Sequence, residues 1–257
     1  MESAPLPFLS RFALALLAGA AAMVASAVQA GEVRGVVELF TSQGCSSCPP
    51  ADKLLGDLAQ DPSLVALSLP VDYWDYLGWK DTLALRGHTK RQRAYSKVRG
   101  DREVFTPQAV ISGSVYVLGS DKAAIEQAVT KSHDGGALTV PVTVAVKDGS
   151  VDITATAAKD IAASSPVLGE VWLCPVSRNV HVTIGRGENN GHSIVYHNVV
   201  RRWVKLGDWT GGPVSYSLPM ANVTGGDAQI DAVAVLVQRG SASEPGAIVG
   251  AALAPLP

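Results

Sequence analysis

Charge, aromatic residues and cysteines are all scarce in this chain. Lysine and arginine number 21 against 23 aspartates and glutamates, a net charge of −2. That balance gives no basic excess for nucleic acid or for an anionic membrane surface. Past the first 30 residues there is no apolar run long enough to cross a bilayer, so stable membrane insertion is not expected. Cysteine occurs three times, as Cys45, Cys48 and Cys174. There is no second CxxC and no compact histidine pair, so the four ligands of a structural zinc site are missing from the pattern. Repeats and low-complexity segments are absent after the amino-terminal stretch.

That stretch reads as a targeting signal. Arg11 supplies a short positive region, and an Ala- and Leu-rich run from Phe12 to Val24 follows it. Val28-Gln29-Ala30 places small residues where a signal peptidase reads. A signal peptide over residues 1–30, cleaved after Ala30, implies a periplasmic or secreted protein, a setting in which disulfides persist.

The remainder divides by periodicity. Val33–Phe40 reads as a buried strand and Pro49–Gln60 as a helix with both prolines in its first turn. A strand is expected at Leu64–Val71 and a helix over Thr89–Val98. Two strands, Val104–Ile111 and Ser114–Leu118, come next, and a closing helix Asp121–Thr130 is capped by Ser120. The order β-α-β-α-β-β-α predicts an α/β thioredoxin-like domain over residues 31–134. Beyond His133-Asp134-Gly135-Gly136 the helical period fades. Strand-like runs punctuated by Gly, Asn, Asp and Pro predict a smaller all-β sandwich-like domain over 138–257. Asn190-Gly191 reads as a tight hairpin turn within it.

The chemistry centres on Cys45-Ser46-Ser47-Cys48. A CxxC between a strand and a helix start is the setting that activates a thiol, because free N–H groups at a helix amino end favour the thiolate. The expected activity is that of an exported thiol-disulfide oxidoreductase. Cys45 attacks, Cys48 resolves, and protein or small-molecule thiols and disulfides are the partners. No organic cofactor and no metal are implied, since the dithiol carries the electrons. Two other readings stay open: soft-metal (copper) capture or delivery by the CxxC, and a binding protein with a vestigial redox site.

Three further groups of residues complete the expected site, and Cys174 stands apart from it. Thr106-Pro107 lies at the entry of the third strand, where a cis proline would pack against the CxxC and the residue before it would offer backbone groups to a substrate. Glu38 lies in an otherwise apolar strand and is expected beneath the site, where it would accept the proton of Cys48. Asp72 and Trp74 follow the second strand as a candidate rim for a partner. Cys174, in an apolar strand, reads as a buried inert thiol.

Several stretches carry a family resemblance: Glu38–Asp52, Val71–Asp81, Arg91–Tyr95, Thr106–Gln108, Gly187–Gly191 and Tyr196–Arg201. Together they resemble the signature of an uncharacterised secreted thioredoxin-like family, domain of unknown function 1223. The resemblance spans most of the mature chain. It departs at Pro70, where similar proteins tend to have histidine. It implies the same fold and no particular substrate.

Overall fold

The computed structural model describes residue 1, residues 32–157 and residues 169–257. The signal peptide expected over residues 1–30 lies outside them apart from Met1. Among the described residues no helix is long and apolar enough to cross a membrane.

Strand β1 (Gly35–Thr41) is buried at every position, and helix α1 (Pro49–Leu58) follows the CxxC. Strand β2 (Leu64–Pro70) pairs parallel with β1. Helix α2 (Arg86–Arg99) leads to β3 (Gln108–Ile111) and β4 (Val115–Leu118), and α3 (Lys122–Asp134) follows. Asp121, rather than Ser120, caps α3 by accepting the Ala124 N–H at 3.0 Å. The second half contributes β5 (Val142–Lys147), β6 (Ser150–Ala155), β7 (Gly169–Thr183), β8 (Ser193–Val200), β9 (Val204–Trp209) and β10 (Val214–Pro219). After a short helix α4 (Met220–Thr224) come β11 (Ala232–Ser241) and β12 (Glu244–Pro255).

These strands do not sort by half. One mixed sheet of nine strands runs β12-β11-β7-β8-β2-β1-β3-β4, with β9 on β7. A separate three-stranded sheet, β10-β6-β5, packs on the second half. The expectation of an α/β thioredoxin-like domain followed by a smaller all-β sandwich-like domain is therefore corrected. The chain is mostly β, and its central sheet crosses the expected boundary between residues 134 and 138. Periodicity marked the strands but carried nothing about which strand edges meet.

The crossing is made by β8. Ser68 of β2 pairs with Val199, and the Asn198 side chain donates to the Ala66 carbonyl at 2.9 Å. Asn198 has φ 48°, a left-handed conformation that asparagine tolerates better than most residues. On the same strand His197 lies against α1 so closely that a Cβ on Gly56 would come within 2.6 Å of its ring. An isolated first half would thus leave a bare edge on β2 and an uncovered flank on α1. Residues 32–134 expressed alone should give no cooperative urea transition and weak near-ultraviolet circular dichroism. A sharp transition in that fragment would mean that the second half adds nothing to the fold of the first.

Alternation along β1 sets two faces. Val37 and Leu39 pack with Leu54, Leu55 and Leu58 of α1 and with α3. Val36 and Phe40 point the other way, into a core shared with Tyr95 of α2 and Leu236 of β11.

Candidate functional site

Strand β1 ends at Thr41, and the chain turns through Ser42–Gly44 into the CxxC. The Cys45 N–H donates to the Ser42 carbonyl and the Cys48 N–H to the Cys45 carbonyl, each at 3.1 Å. Cys45 and Cys48 form a disulfide, their Cα atoms 5.4 Å apart. Helix α1 starts at Pro49 with Cys48 at its N-cap, so the helix end lies at Cys48 and one turn of chain away from Cys45. The two prolines fill the first two helical positions, so the helix begins at Pro49.

Cys45 is 1% exposed and Cys48 0% exposed, so exposure does not rank the two sulfurs. Their surroundings do. Cys45 Sγ lies 3.4 Å from the hydroxyl of exposed Ser47, which donates to the Thr106 carbonyl at 3.5 Å. Trp74 Nε1 donates to the Thr106 hydroxyl at 2.8 Å, and Trp74 stacks on exposed Tyr76. The Thr106–Pro107 peptide is cis. Cys45, Thr106, Pro107 and Trp74 therefore meet at one surface. Asp72 sits one step away: its carboxylate accepts from the Thr89 hydroxyl and its N–H donates to Thr89, which ties the rim loop to α2.

Glu38 is not at this site. Its side chain shares the face of Val36 and Phe40, opposite α1, and is fully buried there. Arg91 donates to both carboxylate oxygens, at 2.6 and 3.2 Å, and the Tyr95 hydroxyl donates to Oε2 at 2.6 Å. Arg91 Nη2 also reaches Gln238 Oε1 at 2.9 Å. The expected role of Glu38 as proton acceptor for Cys48 is corrected to that of anchor for a buried ion pair. Side chains alternate along a strand, and one residue of parity sends the carboxylate to the far layer.

A different carboxylate lies one helical turn after Cys48. Asp52 is on α1 four residues after Cys48, hence on the same helix face, and is 2% exposed. Neither of its carboxylate oxygens makes a hydrogen bond of ordinary geometry among the described residues. Burial pushes its pKa up to about 8. The nearby Thr41 hydroxyl opposes the rise and the Asp81 carboxylate adds to it. The Tyr196 hydroxyl, from β8, is buried close by. Its pKa is raised by desolvation first, then by Asp52 and Asp81. Thr41 Oγ1, Ser68 Oγ and Tyr196 Oη also lack partners among the described residues. Buried polar groups without partners commonly enclose ordered water.

The loop before Cys45 is held from three sides. Asp81, 3% exposed, accepts the Gln43 and Leu83 N–H groups at 2.8 Å each. Burial nevertheless raises its pKa to about 6. The fully buried Gln43 side chain accepts from Trp79 Nε1 at 2.8 Å. From the second half, Asn189 Nδ2 donates to the carbonyls of Gln43 and Cys45 at 3.0 and 2.9 Å. Asn190-Gly191 belongs to the β7–β8 connection that brings Asn189 here, not to a two-residue hairpin turn. Farther from the disulfide, buried His88 holds its Nδ1 2.9 Å from the Pro70 carbonyl, and burial lowers its pKa to about 4.

Asp52, Asp81, Asn189 and Tyr196 were not singled out by sequence reasoning. Asp52 did carry a signal: an acidic residue at i+4 from Cys48 on the apolar face of an amphipathic helix. Cys174 is buried, and burial raises its thiol pKa. Among the described residues no group of three or more His, Cys, Asp or Glu side chains converges as a metal site would.

A family model described as a protein of unknown function (DUF1223) matches residues 36–238. A search of the curated proteins finds no match. Among solved structures the chain is similar to a crystal structure of a protein from Agrobacterium tumefaciens. The TM-score is 0.76 at 36% identity over 87% of this chain and 95% of that one. It also shares a fold with HBP35 of Porphyromonas gingivalis, with a TM-score of 0.56 at 14% identity over 88% of this chain and 76% of that one. None of these descriptions carries an activity, so the labels thioredoxin fold and oxidoreductase, expected from the CxxC, draw no support from them.

Proposed function

The chain belongs to the DUF1223 family, whose description names no activity, and we propose from its own residues that it exchanges disulfides with thiol partners outside the cytoplasm. The observation that carries this reading is the pairing of Cys45 and Cys48 one helical turn from the buried Asp52, whose backbone N–H donates to the Cys48 carbonyl. A purely structural disulfide closing so short a loop adds little stability and needs no titratable group near it. The amino-terminal signal pattern supports export to the periplasm or medium, with cleavage after Ala30.

In the oxidised protein a partner thiolate attacks Cys45 Sγ, on the side of Ser47, Thr106 and Trp74. The Cys45–Cys48 bond breaks, a mixed disulfide forms at Cys45, and Cys48 leaves as thiolate. Asp52, protonated at neutral pH, gives Cys48 its proton. Starting from the reduced protein, the Cys45 thiolate attacks a partner disulfide and releases one partner thiolate; the Asp52 carboxylate then takes the proton of Cys48, and the Cys48 thiolate attacks Cys45 Sγ and releases the second partner thiolate. Protein or small-molecule thiols and disulfides both satisfy this scheme.

Cys48→Ser should trap a mixed disulfide through Cys45 when the protein is mixed with a disulfide-bonded glutathione or peptide probe. Cys45→Ser should trap far less. Mass spectrometry of non-reduced protein reads both. Equal trapping by the two variants, or none by either, would remove the assignment.

A further inference from the structure

A second concavity lies away from the disulfide, under α2. Gly87, Lys90, Arg91 and Ala94 recur at helical spacing and so face it together. Its floor is Trp172 of β7 and Trp203, which precedes β9. Its far wall is Ala242 and Ser243 at the β11–β12 turn. The volume is about 420 Å³, within the size range of small-molecule sites. Glycine, alanine and serine along the walls leave the space unfilled. The two indoles meet edge to face with centroids 6.0 Å apart, and both are only partly buried.

The charged residues that line this chamber, Lys90 and Arg91, are both cationic. Helix α2 carries Arg86, Lys90, Arg91, Arg93, Lys97 and Arg99 and no acidic residue. Arg91 is neutralised by Glu38, and its guanidinium covers one face of Trp203 at 4.2 Å. Lys97 and Arg99 have partners in Glu244 and Asp101. Lys90 lines the mouth. It is exposed, like Arg86 four residues before it and Arg93 three residues after, and none of the three is in an ion pair among the described residues.

We infer that this chamber binds a small amphipathic anion, an apolar or aromatic body with one carboxylate or sulfonate group. The body lies against Trp172 and Trp203, and the anionic group faces Lys90 at the mouth. An uncharged molecule would find the same apolar floor but no use for the cations. A convex protein partner would meet a recess lined by the smallest side chains. The inference does not depend on the dithiol, because Trp172 and Trp203 pack on the sheet face opposite α1.

The test uses the full chain and 8-anilinonaphthalene-1-sulfonate as the probe, read by its fluorescence gain and by energy transfer from tryptophan. Binding should saturate at one probe per chain and weaken with salt. Ala94→Leu and, from the opposite wall, Ser243→Leu fill the space without removing a contact. Each should weaken binding by about tenfold or more, equivalent to about 1.4 kcal/mol. Lys90→Glu should weaken the sulfonate probe severalfold while leaving uncharged N-phenyl-1-naphthylamine unchanged. Near-ultraviolet circular dichroism checks that each variant is folded. Unsaturable binding, or folded Ala94→Leu and Ser243→Leu variants that bind as the wild type does, would show that the probe rests on open surface and would overturn the inference.

Discussion

Replacing Glu38 by glutamine should destabilise the protein by about 3–5 kcal/mol, the typical cost of removing one partner from a buried ion pair. The substitution keeps the shape but leaves Arg91, 7% exposed as a residue, with no compensating charge. It also changes what Tyr95 and Gln238 can do. Tyr95 donates to Glu38 and accepts from Arg91 and from Gln238 Nε2 at 2.7 and 2.9 Å, so four residues from β1, α2 and β11 share one network. Equilibrium urea unfolding of wild type and Glu38→Gln, with the disulfide intact, measures the loss. A double variant that makes both positions apolar, Glu38→Leu with Arg91→Met, should recover part of it, since an apolar pair of similar volume avoids the desolvation of two charges. Disulfide exchange by the folded fraction of Glu38→Gln should stay near the wild-type rate, because the carboxylate faces the layer opposite α1. A loss below about 1 kcal/mol would place the pair among those whose attraction is largely screened, and the network would not be what joins the two halves. A slowed resolution step in folded protein would return Glu38 to the site.

The same residue shows where sequence reasoning reaches and where it stops. A glutamate inside Val36–Phe40 is legible as buried and therefore in need of a partner. Which layer it enters depends on how β1 pairs, and its cation, Arg91, lies 53 residues away on a helix whose apolar moment is masked by six basic residues. The CxxC, the helix after it and the cis Thr106–Pro107 bond lie in one local stretch or in the strand beside it, and their order along the chain is informative. The parallel pairing of β2 with β8 is not local. It rests on Asn198 in a left-handed conformation, which no periodicity reports. Strand β12 has no clear strand signature in the sequence. Its Gly-, Ala- and Pro-rich sequence, Glu-Pro-Gly-Ala-Ile-Val-Gly-Ala-Ala-Leu-Ala-Pro, has weak strand propensity, and its place at the sheet edge is fixed by a register against β11 that contains two irregularities. Asn190-Gly191 is legible in the sequence only as a turn signal, which says nothing of the Asn189 side chain beside it. In the folded chain that turn is what carries its amide to the backbone of Cys45.

Asp52→Asn should stabilise the oxidised protein on the alkaline side and slow the second step of exchange. In the folded state the Asp52 pKa stands at about 8, against 3.8 for an unperturbed aspartate. A raised pKa on an acid means that the native state keeps a proton the unfolded chain has released, so the contribution of this group to stability falls as pH rises from about 4 and levels off above about 8. Asparagine carries no such linkage. The stability difference between Asp52→Asn and wild type should therefore widen from pH 4 to pH 8, reaching on the order of a few kcal/mol in favour of the variant. Groups present in both proteins, His88 among them, largely cancel in that difference. The kinetic consequence has the opposite sign. Resolution needs Cys48 as thiolate, and Asp52 is the buried base one helical turn from it. Loss of a positioned general base slows such a step by about 10²-fold, at the lower end of the usual range. With a glutathione-disulfide probe, mixed disulfide at Cys45 should accumulate in Asp52→Asn while its formation is little changed. The wild-type rate of resolution should rise through a pH near 8 that the variant lacks. A variant that resolves as fast as wild type, with the same pH profile, would make Asp52 a stored cost of the fold with no part in exchange. A stability difference that stays flat from pH 4 to pH 8 would mean that Asp52 is ionised where it lies and that water or Tyr196 supplies the hydrogen bonds its oxygens lack.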